Sequence, residues 1–195
     1  MKYRNHFVTN SSSSCFVAVY QKPKTCIDSV KKKIRENSWD SYPAGEDGNI
    51  EFGWEQKVHD DFDSRLNYAM LQVLFNSDKI SEVRSGMPEL LDGAEDSKEG
   101  KLVSEVFERA LGIPVDWSGL KEKVADTEAY IDHQSVILFP VIFENSTKMY
   151  DFLFGKKSAV ITGNDNVYEE EGEFHHLEEP YKNNPDFKIN GQTWF

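Results

Sequence analysis

Asn10-Ser11-Ser12-Ser13-Ser14 sets an amide, four hydroxyls and consecutive backbone N–H groups side by side. Donors this dense can cradle a phosphate or another oxyanion. Lys2, Arg4 and His6 precede the run, and Lys2 and Arg4 add positive charge. The competing reading is a polar turn whose hydroxyls bond their own backbone. No phosphate-loop glycine pattern accompanies the serines.

Asp132-His133-Gln134-Ser135 offers the residue types of nucleophilic hydrolysis. A catalytic triad is assembled in space and not from neighbours. In an extended segment Asp132 and Gln134 point one way and His133 and Ser135 the other, so the four cannot converge. His133 as base and Asp132 as acid are the catalytic candidates, and a polar strand end making structural hydrogen bonds is the alternative. Asn164-Asp165-Asn166 supplies oxygens that could meet a hard cation or another ligand, but the spacing of a calcium loop is absent and a turn of turn-formers is the better explanation. His175, His176, Glu178 and Glu179 fall at helical spacing but lack the rigid three- or four-ligand set that zinc requires, so no metal is expected. His59-Asp60-Asp61 reads as the start of a helix, where carboxylates are favourable. Trp54, beside Gly53, either lines a pocket or joins the core.

These residues must be held by a scaffold, and hydrophobic spacing outlines it. Cys15–Tyr20 reads as a strand, with Lys2–Val8 as a looser one. Thr25 is the expected cap of a helix over about 26–37, with Ile27, Val30 and Ile34 on its inner face. Ser41–Asn49 is glycine-rich loop, and Ile50–Trp54 is a strand. Phe62, Leu66, Ala69, Met70, Val73 and Leu74 make one apolar helical face. Lys101–Leu111 forms another helix, closed by Gly112 and Pro114. Trp117–Val124 forms a shorter helix, and Val136–Phe143 is either a buried strand or a helical turn. Ser146 is the expected cap of a helix through Leu153, and Ser158–Thr162 is a strand ending in a Gly163–Asn166 turn. Asn190-Gly191 suits a type I′ turn, which implies a small C-terminal hairpin. Strands alternating with helices, with hairpins at the ends, predict a single α+β domain over 1–195: a mixed or antiparallel sheet covered by helices. A polar loop region lies at about 86–100 and an acidic segment at about 168–180.

The chain has 195 residues, enough to bury a core without disulfides or structural metal. Aromatics make up 13%, far from the composition of a disordered chain. Cys15 and Cys26 form no disulfide framework and no zinc spacing. No cofactor motif is present. The longest apolar run, Val136–Phe143, is far short of a membrane span, and the opening lacks a leader-length apolar stretch, so a cytoplasmic protein without membrane contact is expected. Net charge is −12. Residues 1–38 carry eight Lys/Arg against two Asp/Glu, and the remainder carries 14 against 32. A surface this acidic repels phosphate backbones, which argues against general nucleic-acid binding.

Phe7-Val8-Thr9-Asn10, the serine run and Phe16 together resemble the start of a group of bacterial and phage-borne proteins that open with Phe-Val-Ser/Thr-Asn, serines and a Phe. Glu51–Glu55, Tyr130–Ser135 and Ile161–Asn166 are similar to later stretches of that group. Cys15 stands where a fifth serine is usual. The resemblance implies a bacterial or phage origin and no particular activity.

Two functions follow as expectations. The first is a binding protein acting through protein contacts with a host or self partner, one form being a decoy whose carboxylates mimic a DNA backbone. The second is an enzyme holding an anionic substrate at Asn10–Ser14, with Asp132 and His133 as acid and base.

Overall fold

The computed structural model describes residues 13–22, 24–53, 57–75, 91–126, 128–131, 140–164, 180–181 and 184–191. Its sheet has four antiparallel strands in the order β4-β7-β1-β8: β1 (Ser13–Tyr20), β4 (Lys57–His59), β7 (Ala159–Asn164) and β8 (Phe187–Gly191). Two short parallel pairs flank it. β2 (Tyr42–Pro43) pairs with β5 (Val115–Asp116), and β3 (Glu51–Phe52) pairs with β6 (Tyr130–Ile131). The helices are α1 (Ile27–Asn37), α2 (Phe62–Phe75), α3 (Lys98–Leu111), α4 (Ser118–Ala125), α5 (Pro140–Phe143) and α6 (Ser146–Phe154), with a 3-10 turn at Ala94–Asp96. This is the expected α+β fold. No helix among the described residues is long and apolar enough to cross a membrane.

Alternation along the strands sorts side chains onto two faces. Val17, Val19 and Val160 join the main core beneath the helices. Ala18, Ala159 and Ile161 face the other way and meet Val58, Tyr181, Phe187 and Ile189. α1, α2, α3 and α6 all contribute to the same core as the sheet, so the apolar faces of 62–74 and 102–111 close over one interior.

α2 departs from the amphipathic helix its spacing predicts. Every residue in it except Asp63 is buried. It runs through the middle of the molecule, so its polar side chains work as internal fasteners. Asn67 Oδ1 accepts the Gly45 N–H at 2.9 Å, and its Nδ2 donates to Asp47 O at 2.8 Å and Asn49 O at 3.2 Å. Ser64 Oγ accepts the Asn49 N–H at 2.7 Å. The 44–49 loop is thereby sewn to the helix. Gly48 (φ 75°) passes so close that a Cβ there would lie 2.5 Å from Ser64 N, which explains its glycine.

Several local expectations shift. α1 is preceded by Cys26, not capped by Thr25, and no side chain caps its first turn; Thr25 instead forms a β-bridge with Gly155. α6 is capped by Asn145, whose Oδ1 accepts the Lys148 N–H at 3.0 Å, rather than by Ser146. Asp61 caps α2 as expected, accepting the Ser64 N–H at 2.7 Å. Gly112 (φ 83°) ends α3 in the left-handed region, as its sequence signal predicts. Ser13, Ser14, Gly163 and Asn164 are strand residues and not turns, because the β1–β7 ladder pairs Ser13 with Asn164 and Ser14 with Gly163. Asn190 and Gly191 pair with Val17 and Phe16, so β8 runs through the dipeptide read as a turn. The second arm expected at 192–194 lies outside the described residues, as do the strand at 2–8 and the segments 76–90, 132–139 and 165–179.

Candidate functional site

The serine stretch and the Asn164 segment meet. Their backbones lie side by side at one end of the sheet, with Ser13 opposite Asn164. Lys57 of β4 enters the same end from the other edge of β7, opposite Thr162. Asn10, Ser11, Ser12, Trp54, Asp132, His133 and Asp165 lie outside the described residues. Trp54 follows β3 and Asp132 follows β6, two strands that run parallel with Phe52 paired to Ile131. The histidine found at this side of the sheet is His59. It is buried, its Nε2 lies 3.1 Å from Thr162 Oγ1, and its ring meets Phe52 edge-on at 4.9 Å. Burial, with help from Lys57, pushes its pKa down to about 4. A neutral imidazole bonded inside the core is a structural group.

Two concavities stand elsewhere. The larger, about 540 Å³, lies between α3 and the β5–α4 segment, with the 3-10 turn at one end. Asp92, Glu95, Asp96, Glu108 and Asp116 line it against only Lys101 and Lys121. Lys121 is buried and donates to Glu95 Oε1 at 2.8 Å and Asp92 Oδ1 at 3.3 Å. Among the described residues no donor reaches the buried Glu95 Oε2. Trp117 forms part of the wall, fixed by its Nε1–H to Ser104 Oγ at 3.2 Å. Asp116 Oδ1 is held by the Ser118 N–H at 2.9 Å and the Ser118 hydroxyl at 2.6 Å. The walls are fixed by such bonds, and the net field inside is negative.

The smaller, about 320 Å³, opens where the start of α1, the start of α2 and the turn after α6 meet. On one side Tyr42 donates its hydroxyl to Asp63 Oδ1 at 2.5 Å, while Lys33 Nζ reaches Tyr42 Oη at 3.1 Å, Asp63 Oδ2 at 3.0 Å and Asp47 Oδ2 at 2.8 Å. Burial and the Asp63 carboxylate hold the Tyr42 phenol far above its ordinary pKa, so it stays protonated. Burial opposes the charge on Lys33, but Asp47 and Asp63 outweigh it and raise its pKa. On the other side Arg65 is 1% exposed. Its Nη1 donates to Gly155 O and to Ser158 O, the latter at 2.8 Å, and its Nη2 lies 3.5 Å from Cys26 Sγ. Burial pulls the Arg65 pKa down and pushes the Cys26 thiol up, each shift partly countered by the other group. Gly155 is the close-approach point here: a Cβ on it would meet Asp151 O and Ser158 Oγ.

Neither concavity is visible in the sequence, since each joins residues far apart along the chain. The one legible signal is Arg65 inside a helix with a strong apolar face, where a polar residue needs a partner. Among the described residues no group of three His, Cys, Asp or Glu could hold a metal ion. No family model, curated protein or solved structure matches this chain.

Proposed function

We propose that this protein works by protein contact, its acidic groove receiving a Lys- or Arg-rich segment of a partner in a bacterial or phage setting. The observation that carries the reading is the groove itself. Five carboxylates face two lysines around Trp117. An ammonium or guanidinium entering there would meet a carboxylate held by Lys121, with little side-chain freedom left to lose. Trp117 is buried in the wall beside the carboxylates and makes that part of the groove apolar and rigid. The −12 charge of the whole chain favours encounter with a basic partner. The opening motif supplies the bacterial or phage setting.

The test uses a fluorescent lysine/arginine peptide and the full chain. Asp96→Lys with Glu108→Lys reverses two wall charges while leaving the Lys121–Glu95 pair and the Ser118–Asp116 bonds intact. Asp28→Lys with Glu36→Lys makes the same net change on α1, away from the groove. The groove pair should weaken binding at least about tenfold, and the α1 pair by less than about twofold. Equal losses from both pairs would mean that only net charge is being read, and the groove would not be the site.

A further inference from the structure

The Cys26–Arg65 cavity is separate from the acidic groove and has the opposite problem: a buried positive charge with no directly paired carboxylate among the described residues. A guanidinium carries five N–H donors. Arg65 uses two at Nη1 on the carbonyls of Gly155 and Ser158 and one at Nη2 on the Cys26 sulfur. The Nε–H is buried and has no partner among the described residues, and Nη2 carries a second N–H. Carbonyls and a thiol satisfy donors but do not neutralise charge. No carboxylate among the described residues lies within ion-pair reach of this guanidinium.

Of the three acids that line the cavity two are committed elsewhere, and Asp60 and Asp61 act on Arg65 only through space. Asp61 holds the Ser64 N–H, and Asp63 is taken up by Tyr42 and Lys33. Asp60 is exposed at the mouth. A buried, uncompensated charge costs several kcal/mol, so a fold that keeps one has a use for it or a partner to bring. Two further features favour a negative occupant. Lys156 stands exposed on the lining, and the first turn of α1 has no side-chain cap. At about 320 Å³ the cavity sits at the low end of small-molecule sites.

We propose that this cavity is a binding site for a small oxyanion, anchored on the free Nε–Nη2 edge of Arg65, with Lys156 at its mouth. A phosphoryl group and a carboxylate share that chemistry, since both accept two parallel N–H bonds from a guanidinium. An occupant would also lie against Cys26 Sγ and cover it.

The test follows the Arg65 Nε–H resonance of the ¹⁵N-labelled full chain while sodium phosphate or sodium acetate replaces sodium chloride at constant ionic strength. In parallel, maleimide labelling at Cys26 is read by mass spectrometry of its peptide. Phosphate, acetate or both should shift the resonance saturably and slow labelling by about threefold or more. A response to phosphate alone assigns a phosphoryl ligand, and a response to acetate alone assigns a carboxylate. Lys156→Ala, an exposed change with no fold to lose, should raise the midpoint about threefold. A resonance and a labelling rate that are the same in all three salts would overturn the proposal. So would a midpoint untouched by Lys156→Ala, which would place the ion elsewhere.

Discussion

His59 should make the protein lose stability in mild acid, and by a calculable amount. Its imidazole is buried in β4, bonded to Thr162 and packed edge-on against Phe52. Burial lowers its pKa from 6.5 to about 4; Lys57 adds to the shift and Asp61 opposes it. The folded value lies below the unfolded one, so between the two the unfolded chain binds the extra proton. The His59 contribution is therefore complete above the unfolded pKa and fades as pH falls through 6.5 toward 4. Between about pH 7.5 and about pH 4.5 the loss works out at about 2–3 kcal/mol for this group alone. Other groups titrate over the same interval, so the measurement is a difference of differences. Urea unfolding, followed by tryptophan fluorescence across that interval, is compared for the native chain and His59→Gln. Glutamine keeps a donor for Thr162 but does not titrate. The variant should be less stable near neutrality and should lose about 2–3 kcal/mol less on acidification. Parallel pH profiles for the two chains would refute the reasoning and mean that the histidine is protonated without penalty in the fold.

Tyr42→Phe removes the hydroxyl bonded to Asp63 in a buried network with Lys33; unfolding should show a loss of about 2 kcal/mol, and a loss under about 0.5 would mean the network re-forms without it. Gly48→Ala should cost more than Gly93→Ala, because both positions have positive φ but only Gly48 lies against backbone. The left-handed penalty alone is about 1–2 kcal/mol, and equal thermal shifts would refute the close approach at Ser64. Asn145→Ala should cost about 1 kcal/mol and shift the melting midpoint down, while Asn145→Asp should leave it nearly unchanged.

Helix positions are written in local spacing and so were open to reading. The intervals of Val30 and Ile34, and of Val103, Val106 and Phe107, mark inner faces that are buried as expected. Gly112 marks a helix end by its own backbone preference. Caps were less legible, because Thr25, Cys26, Asn145 and Ser146 are adjacent choices that differ by one residue and only the chain path selects among them. Serines and asparagines at 13–14 and 164 look like turn residues in isolation. A ladder with residues some 150 positions away satisfies their backbones instead, which no local pattern reports.

The sequence by itself determined an α+β chain whose apolar spacing demands one buried interior, and a surface with a large negative excess. Tertiary structure alone decided where the charges concentrate. α2 shows one apolar stripe along its length, but packing surrounds it, and Arg65 thereby becomes a buried cation beside Cys26, 39 residues away. Asp92, Glu108, Asp116 and Lys121 share one groove only because α3 and α4 fold back on the same turn. Hydrophobic periodicity is a property of neighbours along the chain, whereas an electrostatic site is a property of neighbours in space.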